Sequence, residues 1–262
     1  MVQVAVSASP AATMDAFPLV ARLASYLALS DAEVAHLRAL HEPRRKFPRH
    51  REIFVAGRRY DHICILSKGF VSRYRVLSDG KRQVLNLALP GDLIGFPACL
   101  FEVAVNSVAA LTDVEVSPIP LDKLFDVFAS LPRVGAALFW SAAREVAMYG
   151  EHLVDLGRRS AYERLGHLIM ELLVRLRAVG LADEVSYTLP LSQEVIADVL
   201  GLSVPHVNRM IRRLREEGLV TIESQRVVVL DPGSLAALAG FEENYLTPRS
   251  ISGFAQSGFR SR

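Results

Sequence analysis

The chain has 262 residues, of which 51% are hydrophobic and 22% charged, and its formal net charge is +2. This composition excludes a disordered protein, and the length allows one large or two medium cores, with two domains favoured. No run of about eighteen uncharged apolar residues predicts a membrane span. P-loops, dinucleotide fingerprints and the common hydrolase motifs are also absent, so the sequence predicts no enzyme active site.

The first fifteen residues are small and mildly apolar, without a basic leading segment. We expect a loose leader over 1–15 and no secretory signal. Cys64 and Cys99 lie far apart in apolar surroundings and lack metal-ligand spacing. They predict two buried free thiols in a reducing cytoplasm, with a redox switch between them as the alternative. The sequence predicts no metal and no cofactor.

Two helices are predicted first, over 17–27 and 30–40, and the second begins after the N-cap residue Ser30. From about Lys46 to Pro120 the apolar residues instead recur in short runs separated by glycine-containing turns. The runs cover 53–55, 63–66, 69–76, 82–89, 103–110 and 114–119. Many short strands with glycine at the corners predict a compact antiparallel barrel or jelly roll.

A short helix over 121–128 and a long helix from Pro132 to about Leu156 follow. Six residues of the long helix repeat at nearly heptad spacing, which favours a dimer interface, the alternative being a helix that lies on its own domain. These residues are Val134, Leu138, Ser141, Glu145, Met148 and His152. The pattern breaks at 157–160, where we place a domain boundary, before a further helix over 161–179.

The most informative segment spans 191–220 and predicts two short helices joined by a glycine turn. Ser192 is a suitable N-cap, Gly201 can adopt the left-handed conformation that ends a helix, and Leu202 fits the angle between the helices. The second helix has a polar and basic outward face, which suits a DNA major groove. The candidate DNA-binding residues are Ser192, Gln193, Ser203, Pro205, His206, Asn208, Arg209, Arg212 and Arg213.

Two short strands around a polar turn follow, at 219–222 and 227–230, as in the wing that supports such a motif on DNA. The alternative is an ordinary helical hairpin whose arginines form a solvated face. The glycine turn, the short polar residues that start the second helix and the strand pair that follows together favour DNA binding.

This order of elements resembles the bacterial CRP/FNR family of transcription regulators. The resemblance covers about 17–238 and is carried by 68–71, 78–81 and 89–95 in the roll and by 191–220 near the end. It implies an α+β fold made of four parts and a leader. The parts are a jelly-roll-like β-roll sensor domain (16–131), a long dimerisation helix (132–157), a winged helix-turn-helix domain (158–239) and a flexible tail (240–262).

The family implies a homodimer that places the second helix of each motif in one half of a palindromic site on double-stranded DNA. Arg209 is the candidate for a guanine contact, with a phosphate contact as the alternative. The family commonly carries glutamate where this chain has Pro205 and a small residue where it has Asn208, so the usual half-site is not expected. RNA polymerase is an expected partner if the protein is an activator.

The resemblance also places an effector pocket in the roll, at Gly91, Asp92, Gly95, Phe96, Asn106 and Ser107. Members that bind cyclic AMP carry a glutamate in place of Phe96 and an arginine in place of Asn106. We therefore expect no tight binding of cyclic AMP, because its phosphate would lack a charge-assisted partner and its ribose hydroxyl would be unpaired. The pocket either binds another, unknown small-molecule effector or is a filled core.

Iron–sulfur members of the family need more cysteines than this chain has, and surface positions are the favoured interpretation of His50 and His62, the only haem-ligand candidates in the roll. A second class of function stays open, namely a small-molecule-binding protein whose C-terminal helices contact another protein. The clustered polar and basic residues of the second helix favour DNA over that alternative.

Overall fold

The computed structural model describes residues 17–247. An N-terminal pair of β-sheets is followed by a long helix and by a C-terminal region of helices and a small sheet. The predicted α+β fold class is therefore confirmed. The predicted leader over 1–15 and the part of the predicted tail beyond Thr247 lie outside the described residues.

Two helices, α1 (Pro18–Ala24) and α2 (Asp31–Ala39), precede the sheets. Ser30 caps α2 as predicted. Its hydroxyl accepts the N–H of Glu33, whose carboxylate accepts the N–H of Ser30. This reciprocal pair satisfies two N–H groups that a helix start otherwise leaves free.

Eight strands form the β-roll as two antiparallel sheets, in the orders β1-β8-β3-β6 and β2-β7-β4-β5. Their inward residues form an apolar core that includes Phe54, Leu66, Val71 and Val116. The strands are β1 (Arg45–Phe47), β2 (Glu52–Phe54), β3 (His62–Lys68), β4 (Val71–Val76), β5 (Arg82–Ala88), β6 (Leu93–Ile94), β7 (Ser107–Ala110) and β8 (Val114–Pro120).

The glycine corners of the roll have the backbone that the sequence predicts. Gly69 has a φ of +84°, and a side chain there would collide with the carbonyl oxygen of Asp113. Gly80 has a φ of +82° in the turn between β4 and β5. Such positive φ values are accessible to glycine at little cost.

The predicted strand over 103–110 is shorter in the structure, because β7 begins only at Ser107. A helix, α3 (Phe96–Leu100), precedes it and was not predicted. The following helices are α4 (Leu121–Ser130) and α5 (Pro132–Arg158). At about 1.5 Å per residue, α5 is roughly 40 Å long.

The C-terminal region contains α6 (Ala161–Arg177), α7 (Gln193–Leu200), α8 (Val204–Glu216) and α9 (Pro232–Ala239). Its sheet has the order β10-β11-β9 and consists of β9 (Ser186–Thr188), β10 (Val220–Glu223) and β11 (Arg226–Val229). The core of this region is continuous with the roll. Leu165, Leu172 and Val227 share one apolar cluster with Tyr74 and Leu87 of the roll.

The prediction of a loose tail from residue 240 is wrong for its first part. Residues Glu243–Tyr245 form a 3₁₀ turn, and Leu246 is buried. The rings of Phe241 and Tyr245 pack on that of His167, with centroid distances of 5.3 and 6.0 Å. These apolar contacts order the segment up to Thr247, which its composition alone did not indicate.

Within residues 17–247, no helix has the length and apolarity needed to cross a lipid bilayer. The same part of the chain holds no group of three or more metal-ligating side chains. Cys64 and Cys99 are free and buried, in different apolar clusters. Burial raises the pKa of the Cys64 thiol to about 12, so this cysteine is a poor nucleophile at neutral pH.

Candidate nucleic-acid interface and sensor cavity

The predicted helix-turn-helix is formed by α7 and α8. Ser192 caps α7 by accepting the N–H of Val195 at 3.4 Å, and Gly201 ends the helix with a φ of +64°. Val207 and Leu214 of α8 are buried in the cluster that also contains Leu200. Because the inward face of α8 is fixed by this packing, its outward face has a defined direction.

Four outward residues of α8 form what we call the recognition face: Pro205, Asn208, Arg209 and Arg212. All four are exposed. Their spacing places them within an arc of roughly 100° around the helix. Among residues 17–247, none of the four side chains makes a hydrogen bond or an ion pair within the chain. Their polar groups are therefore available to a partner molecule.

Arg213, also a predicted DNA-binding residue, is engaged within the chain. Its Nε donates to Glu217 at 2.7 Å, and its guanidinium lies 4.0 Å from the ring centroid of Tyr162. The hydroxyl of Tyr162 donates to the second oxygen of the same carboxylate at 2.7 Å. These contacts join α6 to α8. Arg213 therefore helps to hold α8, and with it the recognition face, in place.

The other predicted DNA-binding residues have varied settings. Gln193 is exposed in the first turn of α7, whereas His206 is half-buried. Ser203 occupies the N-cap position of α8, but its hydroxyl makes no capping bond. Its exposed hydroxyl stays available at the start of the helix.

Of the six predicted pocket residues, Asp92 and Phe96 line a common cavity between the roll and α5. Gly91 packs on α1 instead, where a Cβ would lie 2.7 Å from the carbonyl oxygen of Pro18. Gly95 lies against the ring of Phe54. Asn106 is half-buried, and the Ser107 hydroxyl accepts the N–H of Ala56 at 3.0 Å. The six residues therefore do not form one site.

The cavity itself measures about 20 Å³, which is room for about one water molecule. Arg73 of β4 fills much of the space. Its guanidinium donates to the carbonyl oxygen of Leu93 at 2.8 Å and to the Tyr149 hydroxyl at 3.2 Å, and it pairs with Glu145 of α5. A buried arginine and its carboxylate thus occupy the region where the roll faces the long helix.

A second group of charges, here called the Asp92 cluster, joins four parts of the chain. One carboxylate oxygen of Asp92 lies 3.1 Å from Arg22 of α1 and 2.9 Å from Arg144 of α5. The other oxygen lies 3.0 Å from Arg175 of α6 and accepts the N–H of Leu89. Burial opposes the charge on Asp92, but the three arginines outweigh it and hold the pKa of this carboxyl well below its usual range.

His152 of α5 makes a further connection between the roll and the C-terminal region. Its Nδ1 lies 3.2 Å from the carbonyl oxygen of Leu85, and its Nε2 lies 3.0 Å from a carboxylate oxygen of Glu171. Burial disfavours the imidazolium, yet the charge and hydrogen bond of Glu171 raise the pKa of His152. Glu171 also accepts hydrogen bonds from Arg175 and from the Tyr245 hydroxyl.

The predicted dimer stripe of α5 needs correction, because its residues make their contacts within the same chain. Val134, Leu138 and Met148 are buried. Glu145 and His152 are paired as described above, and Ser141 lines the small cavity. The face was misassigned because α5 has two apolar faces at heptad spacing, and the bulkier one packs on the roll.

The second face of α5 is exposed and equally regular. We call it the exposed stripe: Ala136, Phe139, Ala143, Val146, Gly150, Leu153 and Gly157, which alternate at three- and four-residue spacing. Phe139, Val146 and Leu153 are 71%, 70% and 71% exposed, unusually high values for large apolar side chains. A Cβ added at Gly150 or Gly157 would meet nothing within 4 Å in the same chain.

Comparison with known proteins identifies both halves of this arrangement. The Crp-like helix-turn-helix domain matches residues 163–238, and the cyclic nucleotide-binding domain matches residues 44–130. The nitrogen fixation regulation protein FixK of Azorhizobium caulinodans is 30% identical over 70% of this chain and 73% of its own length. FixK of Bradyrhizobium diazoefficiens is 32% identical over 66% of this chain and 71% of its own.

The chain belongs to the CRP/FNR family of bacterial transcription regulators.

Among solved structures, that of FixK2 from Bradyrhizobium japonicum resembles this CRP/FNR member with a TM-score of 0.68 and 25% identity. It covers 76% of this chain and 98% of the FixK2 chain. The matched domains and the named relatives are those of regulators rather than enzymes. A helix-turn-helix of this family binds DNA, so the C-terminal region is a DNA-binding domain.

In this CRP/FNR protein, little open space separates the roll from α5. The roll matches the cyclic nucleotide-binding domain, but the space between it and α5 holds the Arg73–Glu145 pair. Phe96 lines the remaining cavity of about 20 Å³. Of the two predicted interpretations of this pocket, a site for another effector and a filled core, its small volume favours the filled core, and both stay predictions.

Proposed function

We propose that the protein is a homodimeric transcription regulator that binds a palindromic DNA site without a small-molecule effector. The observation that carries this proposal is the recognition face, whose polar side chains have no partner within the described chain. We assign 16–131 to the sensor domain, 132–157 to dimerisation and 158–239 to DNA binding. RNA polymerase is the expected partner if the protein activates transcription.

DNA contact is supported by the separation of the arginines of α8 into two groups. Arg213 and Arg215 bind Glu217 and the Ile222 carbonyl oxygen, whereas Arg209 and Arg212 point away from the protein. Two free guanidinium groups on one exposed helix face give that face a positive charge, which favours a polyanionic partner such as DNA. Major-groove binding uses them for guanine edges and for phosphates.

The first test is a selection of random duplexes by purified, reduced protein without added ligand, followed by sequencing. We expect a palindrome. Arg209→Ala is then expected to lower the affinity for the selected site by about 1–3 kcal/mol, measured by an electrophoretic assay at fixed salt. Arg58→Ala, which removes an exposed arginine from a turn of the roll, is the matched control. Equal affinity of wild type and Arg209→Ala for that site would contradict the proposed contact.

Dimerisation is supported by the exposed stripe of α5. Seven small or apolar residues at heptad spacing are typical of a helix that packs along a second copy of itself. Gly150 and Gly157 leave room for the backbone of a partner helix to approach closely. A homodimer along this stripe would bring the start of α6, at Ala161, close to the two-fold axis.

Independence of an effector is supported by the filled sensor cavity. A nucleotide would have to displace the Arg73–Glu145 pair and would leave the buried Arg73 guanidinium without its present carboxylate partner. We therefore expect a calorimetric titration with cyclic AMP to show no binding at micromolar concentration. A dissociation constant in that range would contradict the proposal for the sensor domain, because cyclic AMP would then be a candidate effector.

A further inference from the structure

The three residues at the amino-terminal end of the recognition face present different chemical groups to a partner. Pro205, Asn208 and Arg209 lie in the first turns of α8, where a recognition helix contacts base edges. At about 1.5 Å per residue, they span roughly 6 Å along the helix, which is close to two base-pair steps of about 3.4 Å. Three side chains at this spacing can contact three successive base pairs. This step rests on the proposed function.

Pro205 limits which base pair can lie against it in the major groove. Its exposed ring presents only carbon atoms, and proline has no backbone N–H to donate. Each base presents hydrogen-bonding groups in the major groove, and thymine alone also presents a methyl group there. An exposed apolar ring complements that methyl group and leaves the donors of cytosine or the acceptors of guanine without partners.

Asn208 and Arg209 offer the opposite kind of contact. The side-chain amide of Asn208 carries one donor and one acceptor, and both are free among the described residues. This pair matches the N7 acceptor and N6 donor of adenine. Arg209 supplies two parallel donors, which match the O6 and N7 atoms of guanine.

Arg212 differs from these three by position. It lies almost in line with Pro205 but two turns further along α8, beyond the part of a recognition helix that enters the groove most deeply. Its guanidinium is free and exposed, so a phosphate contact suits it better than a base contact.

We propose that each half-site contains, within three successive base pairs, one thymine recognised through its methyl group by Pro205, one adenine bound by Asn208 and one guanine bound by Arg209. At the Pro205 position, the protein therefore makes an apolar contact and no side-chain hydrogen bond to the base. This makes Pro205 and Asn208 the specificity-determining residues that distinguish the target of this protein.

The test uses the palindrome recovered by the selection above and the full-length protein. Replacing the thymine of the triplet by deoxyuridine removes only the methyl group, and we expect about a fourfold loss of affinity for the wild type. The Pro205→Gly variant should bind the thymine and deoxyuridine duplexes with equal affinity. Because each protein is compared with itself on two duplexes, any loss of folding in the variant cancels.

A second variant tests the adenine contact. Asn208→Ala should lower the affinity for the selected site by roughly 5- to 100-fold and should abolish the preference for adenine at that position. Arg212→Ala should weaken binding to all sequences alike and should reduce the salt dependence of the affinity. This difference separates base recognition from phosphate contact.

The possible results separate this inference from the proposed function. A palindrome without such a triplet, or equal affinity of the wild type for the thymine and deoxyuridine duplexes, overturns the inference and leaves the DNA-binding function intact. Recovery of no duplex by folded protein contradicts effector-independent DNA binding, and the inference fails with it.

Discussion

His152 shows how one side chain can couple three parts of the molecule. Its two ring nitrogens face two acceptors, the Leu85 carbonyl oxygen of the roll and the Glu171 carboxylate of α6. A neutral imidazole has one N–H and can donate to only one of them, whereas the imidazolium donates to both. The raised pKa of His152 agrees with this geometry.

We expect the stability of the protein to fall as the pH rises through the folded-state pKa of His152. A raised pKa adds stability that is fully present below the unfolded-state value of about 6.5 and is lost as the pH passes the folded-state value. The measurement is the free energy of unfolding in urea between about pH 6 and about pH 9. Wild type should lose stability over this range, and His152→Gln should lose less.

The control for this experiment is His62→Gln, since His62 pairs with the exposed Asp61 on the surface of the roll. This control should follow the wild-type pH dependence. Parallel curves for wild type and His152→Gln would show that the bridge to Glu171 carries no linked proton.

Single residues also mark the limit of prediction from sequence. The outward direction of Asn208 and Arg209 could be predicted, because helical periodicity and the buried positions of α8 determine it. The role of Arg213 could not, since its partner Tyr162 belongs to α6, a helix distant in the chain. The charged filling of the sensor cavity depends in the same way on Arg73 and Glu145, which come from different elements.

At the level of elements, α5 has two apolar faces, one buried within the chain and one exposed. The face of Val134, Leu138 and Met148 packs within the subunit, and the exposed stripe lies beside it. Periodicity alone indicates both faces and does not say which one packs within the chain. The bulkier residues were therefore predicted to be exposed to a partner, whereas they are buried in their own chain.

Val146 is the central large residue of the exposed stripe and gives a direct test of it. Val146→Glu is expected to weaken dimerisation on the order of 100-fold or more, because two carboxylates would face each other in an apolar interface. Analytical ultracentrifugation measures the change, and affinity for the palindrome should fall with it. Val146→Leu keeps an apolar side chain at the same position and should stay dimeric. A dimeric Val146→Glu protein would place the interface elsewhere.

The strands that sequence analysis missed are short. The strands β6 (two residues) and β1 and β9 (three residues each) are too brief to show an alternating pattern. Their positions follow from pairing with longer strands, as Tyr187 of β9 pairs with Val227. By contrast, the helix-turn-helix was predicted because its cap, glycine turn and apolar spacing all lie within one short segment.

At the level of the whole molecule, the Asp92 cluster holds α1, the roll, α5 and α6 together. Asp92→Asn would leave Arg22, Arg144 and Arg175 buried with their main counter-charge removed. We expect a loss of about 3–5 kcal/mol in the free energy of unfolding, measured by denaturant titration at one protein concentration. Asp61→Asn, which alters an exposed pair, should leave the stability nearly unchanged. A loss at Asp92 as small as at Asp61 would contradict a structural role for the cluster.

The apolar cluster shared by the roll and the C-terminal helices has a consequence for how the protein can be divided. Tyr74, Leu87 and Leu89 of the roll contact the same core as Leu165 and Leu172 of α6. Cutting the chain after α5 would expose both halves of this core to water. The sensor and DNA-binding parts are therefore expected to melt in one cooperative transition, so they behave as a single folding unit rather than as exchangeable modules.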